Sequence, residues 1–169
     1  MQHEYLTPTI ERNLDFLTPR EQQIMAVLAR GLVNSAIAAT LTLTPKSVEH
    51  GITHIYSKMG FSNKDAGFNP RVQSLLAYQK HVPDFHNPIE HYFDTHEVIP
   101  LSRRQQQVVY LIGQGYSNIY ISDTLHLTHK TVENYIRIIL DEKIPVNTQR
   151  YSTRVILALV SQTQYAAKT

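Results

Sequence analysis

Apolar residues recur three and four positions apart in several segments of this chain, a spacing that places them on one face of an α-helix. Two of these segments are alike although they lie far apart in the sequence. Their apolar faces consist of Ile24, Val27 and Leu28 in one and of Val108, Leu111 and Ile112 in the other. The pattern predicts an amphipathic helix in each segment, with one face buried.

Both predicted helices have recognisable ends. Each begins with a capping box, in which a Ser or Thr side chain and a Glu or Gln side chain bond to each other's backbone. Each is followed by a glycine, the residue that most readily adopts the left-handed conformation at a helix end. The capping boxes are Thr18 with Glu21 and Ser102 with Gln105, and the glycines are Gly31 and Gly115.

A short helix, a tight turn and a longer helix follow in each half, which is the arrangement of a helix-turn-helix. We expect Asn34 and Asn118 to cap the short helices and Thr44 and Thr128 to cap the longer ones. The residues predicted to face inward are Ile37, Ala38, Leu41, Val48, Ile52, Ile55 and Met59 in the first half, and Ile121, Leu125, Val132, Ile136 and Ile139 in the second. Fourth helices are predicted over residues 71–79 and 153–162.

The two halves are copies of one unit. When residues 17–60 are placed over residues 101–144, a shift of 84 positions, 16 of the 44 aligned residues are identical,. We therefore predict an all-α fold of two tandem four-helix helix-turn-helix domains, residues 1–80 and residues 99–169. Residues 81–98 form the connector between them.

Charge is distributed unevenly along these segments. Residues 1–80 carry a net charge of +2, residues 81–98 a net charge of −4 and residues 99–169 a net charge of +4. Two basic modules around an acidic connector are the layout expected of modules that approach nucleic-acid phosphates.

The motifs of both copies resemble the DNA-binding domain of the LuxR/FixJ/GerE family. The family pattern is L-[TS]-x-R-[EQ], then G-x-x-N-x-x-I-A, then L-x-[LI]-[ST]-x-K-[TS]-V-E. The first copy carries these motifs at residues 17–21, 31–38 and 41–49, and the second copy follows closely. The resemblance covers a little over half of the chain. It implies a transcriptional regulator that binds double-stranded DNA sequence-specifically.

Some positions depart from the family pattern. Gly51 and Tyr135 stand where the family often has His, and Ser122 replaces an Ala. The third helix of copy one finishes with Lys58, Met59 and Gly60, whereas that of copy two finishes with Glu142, Lys143 and Ile144. The copies are therefore expected to bind DNA unequally. Because about sixteen residues precede the first motif, we expect no phosphorylation or autoinducer switch of the family's usual kind.

The third helices, residues 45–59 and 129–142, are expected to enter the major groove as recognition helices. Three residues of each helix should face outward, at positions with which the resembling family reads bases. These base-reading candidates are Glu49, His50, Thr53, Glu133, Asn134 and Arg137. Because Asn can pair with adenine, Arg with guanine and Glu with cytosine, the two copies should prefer different half-sites.

Phosphate contacts are expected near the third helices, whose first amides and dipole favour an anion. The candidates are Lys46, Ser47, Lys58, Lys130 and Thr131, with Arg20, Arg104 and Arg154 as weaker ones. The acidic candidates Glu49 and Glu133 have a structural alternative, because each could pair with a lysine one helical turn earlier.

The duplication suggests that one chain supplies the two recognition helices that a dimer of single-copy chains would supply, for half-sites about one helical turn apart. The fourth helices could pair within the chain or between chains, which leaves a homodimer open. RNA polymerase is a further candidate partner. The alternative function is a protein-interaction module that binds a regulator or RNA polymerase. The less basic end of the second recognition helix motivates this alternative.

Four histidines recur every five residues in the connector. They are His81, His86, His91 and His96, among Asp84, Glu90, Asp94 and Glu97. A five-residue step does not line one face of a helix, so we favour a solvated linker over a metal site. A pH-responsive role is the third interpretation, because protonation of four histidines would cancel the connector's charge of −4,.

The amino-acid composition excludes several classes of site and of protein. The absence of cysteine excludes disulfides, thiol catalysis and cysteine-based zinc sites,. No apolar stretch approaches the roughly 20 residues of a membrane span, and the first residues do not form a secretory signal. We therefore expect a soluble, cytoplasmic protein with no membrane partner. In the absence of a catalytic motif, we expect no enzyme activity, no cofactor, no metal and no catalytic residue.

Overall fold

The computed structural model describes residues 14–61, 67–89, 100–144 and 146–165, with residues 164 and 165 described by their backbone only. Every regular element in these ranges is a helix, which confirms the predicted all-α fold. The first repeat contains α1 (Pro19–Ala29), α2 (Asn34–Leu41), α3 (Pro45–Met59) and α4 (Pro70–His81). The second repeat contains α5 (Arg103–Gly113), α6 (Asn118–Leu125), α7 (His129–Ile138) and α8 (Thr153–Tyr165).

The predicted ends of α1 and α5 are confirmed. Thr18 with Glu21 and Ser102 with Gln105 each form a complete capping box. Gly31 and Gly115 lie just after the two helices with φ angles of +88° and +87°. A residue with a Cβ adopts this conformation at a cost, which is why the chain turns at a glycine in both repeats.

The predicted N-caps of α2 and α6 are wrong by one residue. Val33 and Ser117 occupy the cap positions, and Asn34 and Asn118 are the first residues of the helices. The two asparagine side chains instead accept hydrogen bonds from arginines of the fourth helices. Ser117 is itself a favoured cap residue, and its side chain accepts from the amide of Tyr120,. Val33 makes no side-chain cap, so only in α2 does the bond from the arginine take the place of a side-chain cap.

The second recognition helix differs from its predicted extent, residues 129–142. It is α-helical to Ile138 and continues as a π-helical turn over Ile139–Lys143. The amide of Ile144 bonds to the carbonyl of Ile139, 2.8 Å away. In the first repeat the corresponding helix ends at Gly60, with φ +74°. The wider turn in the second repeat brings Ile139, Leu140 and Ile144 into the core together.

Each repeat has a continuous apolar core. The first core consists of Leu17, Ile24, Met25, Leu28, Leu32, Ile37, Ala38, Val48, Ile52, Ile55, Met59, Phe61 and Ala77. In this core, a Cβ atom on Gly51 would lie 2.5 Å from Cδ1 of Ile24. The close approach of α1 and α3 explains a mid-helix glycine that intrinsic propensity disfavours. The second repeat has Tyr135 at the position of Gly51 and the smaller Val108 at that of Ile24.

The two repeats pack against each other. Helix α4 contacts α8, and Val72 and Leu75 of α4 lie in the core of the second repeat. Two isolated antiparallel bridges also join the repeats, one between Leu32 and Tyr151 and the other between Phe68 and Tyr116. The two recognition helices are therefore held on one packed body.

The first residues of the predicted connector are structured. His81 is half-buried at the end of α4, and Ile89 is buried in the core of the second repeat. His86 is exposed, and its Nδ1 lies 2.9 Å from the backbone oxygen of Asp84. His91 and His96 lie outside the described residues. Among the described residues, no three His, Asp or Glu side chains form a group that could hold a metal ion. None of the described helices is long and apolar enough to cross a membrane.

Candidate nucleic-acid interface

The turn between the two helices of the helix-turn-helix is the same in both repeats. Thr42 and His126 end α2 and α6 in the left-handed conformation, each with φ 53°. The next amide, of Leu43 or Leu127, bonds over 2.8 Å to a carbonyl five residues earlier. This shared turn fixes the direction in which each recognition helix leaves the shorter helix.

The starts of α3 and α7 are also alike, and both caps were predicted. Thr44 Oγ1 accepts from the amide of Ser47 over 3.1 Å and lies 2.8 Å from its hydroxyl. Thr128 and Thr131 repeat both contacts at the same distances. Lys46 and Lys130 are exposed next to these caps. The exposed start of each recognition helix therefore combines the positive end of the helix dipole with a threonine cap, a lysine and a second hydroxyl.

The six predicted base-reading residues are all exposed, and the predicted inward stripe lies on the opposite side of each helix. The buried residues of this stripe are Val48, Ile52, Ile55 and Met59 on α3 and Val132 on α7, followed by Ile139 in the π turn. Ile136 is half-buried against the second core. The exposed residues are Glu49, His50 and Thr53 on α3, and Glu133, Asn134 and Arg137 on α7. Each helix thus turns three polar side chains away from its core.

The base-reading candidates of α7 contact one another and their neighbours. Arg137 Nη2 donates to Asn134 Oδ1 over 2.8 Å, and Arg137 Nη1 lies 3.4 Å from Asp141 Oδ2. The Glu133 carboxylate lies 3.8 Å from Lys130 Nζ and 3.6 Å from His129 Nδ1. The predicted structural pairing of Glu133 with Lys130 is therefore present. On α3, Thr53 Oγ1 donates to the carbonyl of Glu49, 2.9 Å away.

Lys58, a predicted phosphate contact, is bound to an acidic side chain. Its Nζ lies 2.6 Å from Oε2 of the buried Glu21. Burial alone would raise the pKa of Glu21, but hydrogen bonds from Lys58 and Thr18 outweigh it and hold the pKa below its ordinary value of 4.5,. His54 Nδ1 lies 4.0 Å from the same carboxylate. The second repeat lacks the acidic member of this pair, because Gln105 occupies the position of Glu21.

In both repeats, an arginine of the fourth helix donates hydrogen bonds to the helix-turn-helix. The sequence analysis did not predict this role for Arg71. Arg71 Nη2 donates to the carbonyl of Leu32 over 2.6 Å and to Asn34 Oδ1 over 3.3 Å. Arg154 Nη2 donates to Asn118 Oδ1 over 2.5 Å. Burial lowers the pKa of both, that of Arg154 to about 10. Arg154, a weaker phosphate candidate, thus bonds to Asn118 within its own repeat, and its contact with phosphate stays a prediction. An Arg recurs as the second residue of α4 and of α8, and this recurrence could have indicated the shared role.

Arg20 and Arg104, the remaining weak phosphate candidates, are exposed on α1 and α5. Each donates to a glutamine three residues later in its own helix, over 3.0 Å and 2.9 Å. Arg104 also reaches the carbonyl of Leu125 at the end of α6, 3.2 Å away. These residues lie on the surface, and Arg104 additionally links α5 to the turn.

Several curated proteins resemble a part of this chain. The nitrate/nitrite response regulator protein NarL of Escherichia coli (strain K12) is 38% identical over 56 residues, which are 33% of this chain and 26% of NarL. The transcriptional regulatory protein UhpA of the same strain is 42% identical over 64 residues, 35% of this chain and 33% of UhpA. The transcriptional regulatory protein ComA of Bacillus subtilis (strain 168) is 33% identical over 57 residues, 34% of this chain and 27% of ComA.

The chain thus spans only about a quarter to a third of the length of these relatives. No solved structure matches it. Two segments of the chain match the sequence pattern of the protein family "Bacterial regulatory proteins, luxR family". They are residues 15–66 and 99–155, one segment in each repeat. Because these two segments cover more than half of the sequence and contain both helix-turn-helix units, the chain belongs to the LuxR family of bacterial regulatory proteins.

Proposed function

We propose that this chain is a transcriptional regulator that binds double-stranded DNA sequence-specifically, with α3 and α7 in the major groove. The observation that carries the proposal is the repeated geometry of the recognition helices. Each has a capped, lysine-flanked start and three exposed polar residues opposite a buried stripe. A helix of this kind fits the major groove, where side chains near its start meet base edges. The similar proteins NarL, UhpA and ComA are named as regulators.

The two recognition helices should read different bases. On α7, Asn134 and Arg137 suit adenine and guanine, and Glu133 can accept from cytosine. Before Arg137 pairs with guanine it must give up its contacts with Asn134 and Asp141. These contacts are exposed, so exchanging them costs little. On α3, the same three positions are Glu49, His50 and Thr53, which lack the arginine and asparagine.

Phosphate contacts should come from the helix starts. Lys46 with Ser47 and Lys130 with Thr131 lie where backbone amides and the helix dipole attract an anion. These contacts set the position of the helices on the duplex and carry no sequence information themselves. We assign Lys58 to the ion pair with Glu21 rather than to phosphate, because its Nζ is 2.6 Å from the carboxylate.

Selection of bound sequences from a random duplex pool tests this function, with wild type compared with N134A/R137A. We expect wild type to enrich a two-part site. The variant should lose the base preference in one part only, at a cost of about 1–3 kcal/mol for each bidentate contact. Lys80→Ala is the control, since it removes an exposed charge of α4 outside the helix-turn-helix. Lys130→Ala should weaken binding to all sequences and lower the salt slope by about one.

Failure to enrich any sequence, together with a shallow salt dependence, would contradict DNA recognition. It would favour the alternative of a protein-interaction module that binds a regulator or RNA polymerase. The proposal itself requires neither RNA polymerase nor a second copy of the chain.

A further inference from the structure

The two repeats are joined by two short backbone contacts of the same kind. In one, Leu32 forms an antiparallel bridge with Tyr151. It is flanked by hydrogen bonds from Val33 N to Arg150 O, 2.9 Å, and from Ser152 N to Gly31 O, 2.6 Å. Each contact joins the loop after the first helix of one repeat to the segment before the fourth helix of the other.

The second contact repeats the first with the roles of the repeats exchanged. Tyr116 forms an antiparallel bridge with Phe68. Its flanking hydrogen bonds run from Ser117 N to Gly67 O, 2.9 Å, and from Asn69 N to Gly115 O, 2.8 Å. Every donor and acceptor here is the repeat counterpart of a donor or acceptor in the first contact.

These counterparts follow from the alignment of the repeats. Residues of the first three helices correspond at a shift of 84 positions, whereas Arg71 and Arg154 of the fourth helices correspond at a shift of 83. Leu32 is therefore the counterpart of Tyr116, and Phe68 is that of Tyr151. When residue i contacts j and the counterpart of j contacts the counterpart of i, the two units are related by a twofold rotation.

A third contact marks the position of the rotation axis. Gln79 Nε2 donates to Gln162 Oε1 over 2.9 Å, and Gln162 Nε2 donates to Gln79 Oε1 over 2.8 Å. The two glutamines are counterparts of each other at the shift of 83. In a twofold arrangement, a residue meets its own counterpart only at the axis. The axis therefore passes between α4 and α8, which pack against each other.

From this symmetry we infer that one chain is a built-in dimer whose DNA site is an inverted arrangement of two unlike half-sites. This inference rests on the proposed function. A 180° rotation that exchanges the recognition helices also exchanges the half-sites and reverses the direction of the duplex. Direct repeats would require a translation along the duplex instead. The half-sites differ because only one of the three reading positions, Glu49 and Glu133, is the same in both helices.

Two half-sites of different sequence cannot be recognised as inverted or direct copies of each other. The experiment therefore gives both recognition helices the same reading residues. The variant N134H/R137T gives α7 the reading residues of α3, and H50N/T53R gives α3 those of α7. All four positions are exposed, so the fold should tolerate the exchanges,. Each variant is used to select bound duplexes from a random pool. The two halves of the recovered site can then be compared directly.

Both variants should recover a site with inverted halves. Replacing one half by unrelated sequence should weaken binding by at least about 100-fold, because each mismatched base pair alone weakens it by roughly 5- to 150-fold. Recovery of a direct repeat, or of a single half-site only, would overturn the inference while leaving DNA binding intact. If wild type itself enriches no sequence, the proposed function fails instead.

A second measurement tests the built-in dimer without DNA. The chain has no cysteine, so the variant Q79C/Q162C offers only two thiols to a short bismaleimide crosslinker. At low protein concentration we expect a crosslinked product with the mass of one chain. Analytical ultracentrifugation of wild type on its selected duplex should likewise show one chain per site. A crosslinked product of two chains, or two chains on each site, would overturn the inference.

Discussion

At the scale of single residues, one substitution distinguishes the capping boxes of the two repeats. Glu21 in the first repeat corresponds to Gln105 in the second. In the first repeat, the carboxylate completes a capping box and also binds Lys58. In the second, a neutral glutamine completes the box. The cap therefore requires a hydrogen-bonding side chain at this position, whereas the ion pair with the lysine requires the charge.

Glu21→Gln should remove the negative charge and keep the capping box, because Gln105 shows that glutamine can complete the same box. The Lys58 side chain is 38% exposed, so solvent screens the pair and we expect a loss of about 1 kcal/mol at pH 7. A lowered folded-state pKa stabilises the fold above the ordinary value of 4.5 and ceases to do so as the pH falls through the folded value,. The difference between wild type and variant should therefore shrink as the pH falls below 4.5 and through the lowered folded-state pKa of Glu21,.

Urea denaturation at several pH values measures this difference, with the exposed Glu49→Gln as the control. A difference between wild type and E21Q that stays constant from neutral to acidic pH would show that the Glu21 charge does not stabilise the fold.

At the scale of elements, most helices follow from local sequence. Capping boxes, threonine caps and apolar spacing located α1, α3, α5 and the start of α7, because these features act within one helix. The N-caps of α2 and α6 were predicted one residue too late, at Asn34 and Asn118. The side chains of Asn34 and Asn118 bond to arginines 36 or 37 residues away, so the competing partner is distant in the sequence. The π turn after α7 likewise depends on the burial of three residues in a tertiary core.

The helix end at Gly115 gives a prediction at this scale. Gly115→Ala and Gly60→Ala both place a Cβ in the left-handed conformation, at a cost of about 1 kcal/mol. A Cβ on Gly60 would meet nothing within 4 Å, whereas one on Gly115 would collide with the Gln73 amide of the other repeat. Because the Gln73 amide is the mobile end of a buried side chain, we expect it to shift, and G115A to lose about 1 kcal/mol more than G60A in urea denaturation. Equal losses would contradict the close packing of the repeats at this helix end.

At the scale of the whole molecule, the internal repeat could be recognised from sequence, whereas the arrangement of its two copies could not. The exposed faces of α3 and α7 followed from the apolar stripe, since each helix has one buried side. The twofold packing depends on contacts between residues far apart in the sequence, from 48 positions for Phe68 with Tyr116 to 119 positions for Leu32 with Tyr151. The role of Lys58 also required the structure, because its partner Glu21 lies 37 residues earlier.

The twofold packing of the repeats suits the proposed binding to two half-sites on one duplex. Two helix-turn-helix units on one chain lose less freedom on binding DNA than two separate chains would, because the fold already holds them together. Recognition at one half-site then places the other helix near the second half-site. The acidic residue Asp84 and the exposed His86 follow α4, outside both recognition helices.

The most direct test of sequence-specific DNA binding is the affinity of wild type for its selected duplex, compared with a scrambled duplex of the same length and composition. Fluorescence anisotropy at several salt concentrations gives both values. We predict binding to the selected duplex at least roughly 10³-fold tighter than to the scrambled one at physiological salt, with both affinities falling steeply as salt rises. Equal affinity for the two duplexes would contradict the account.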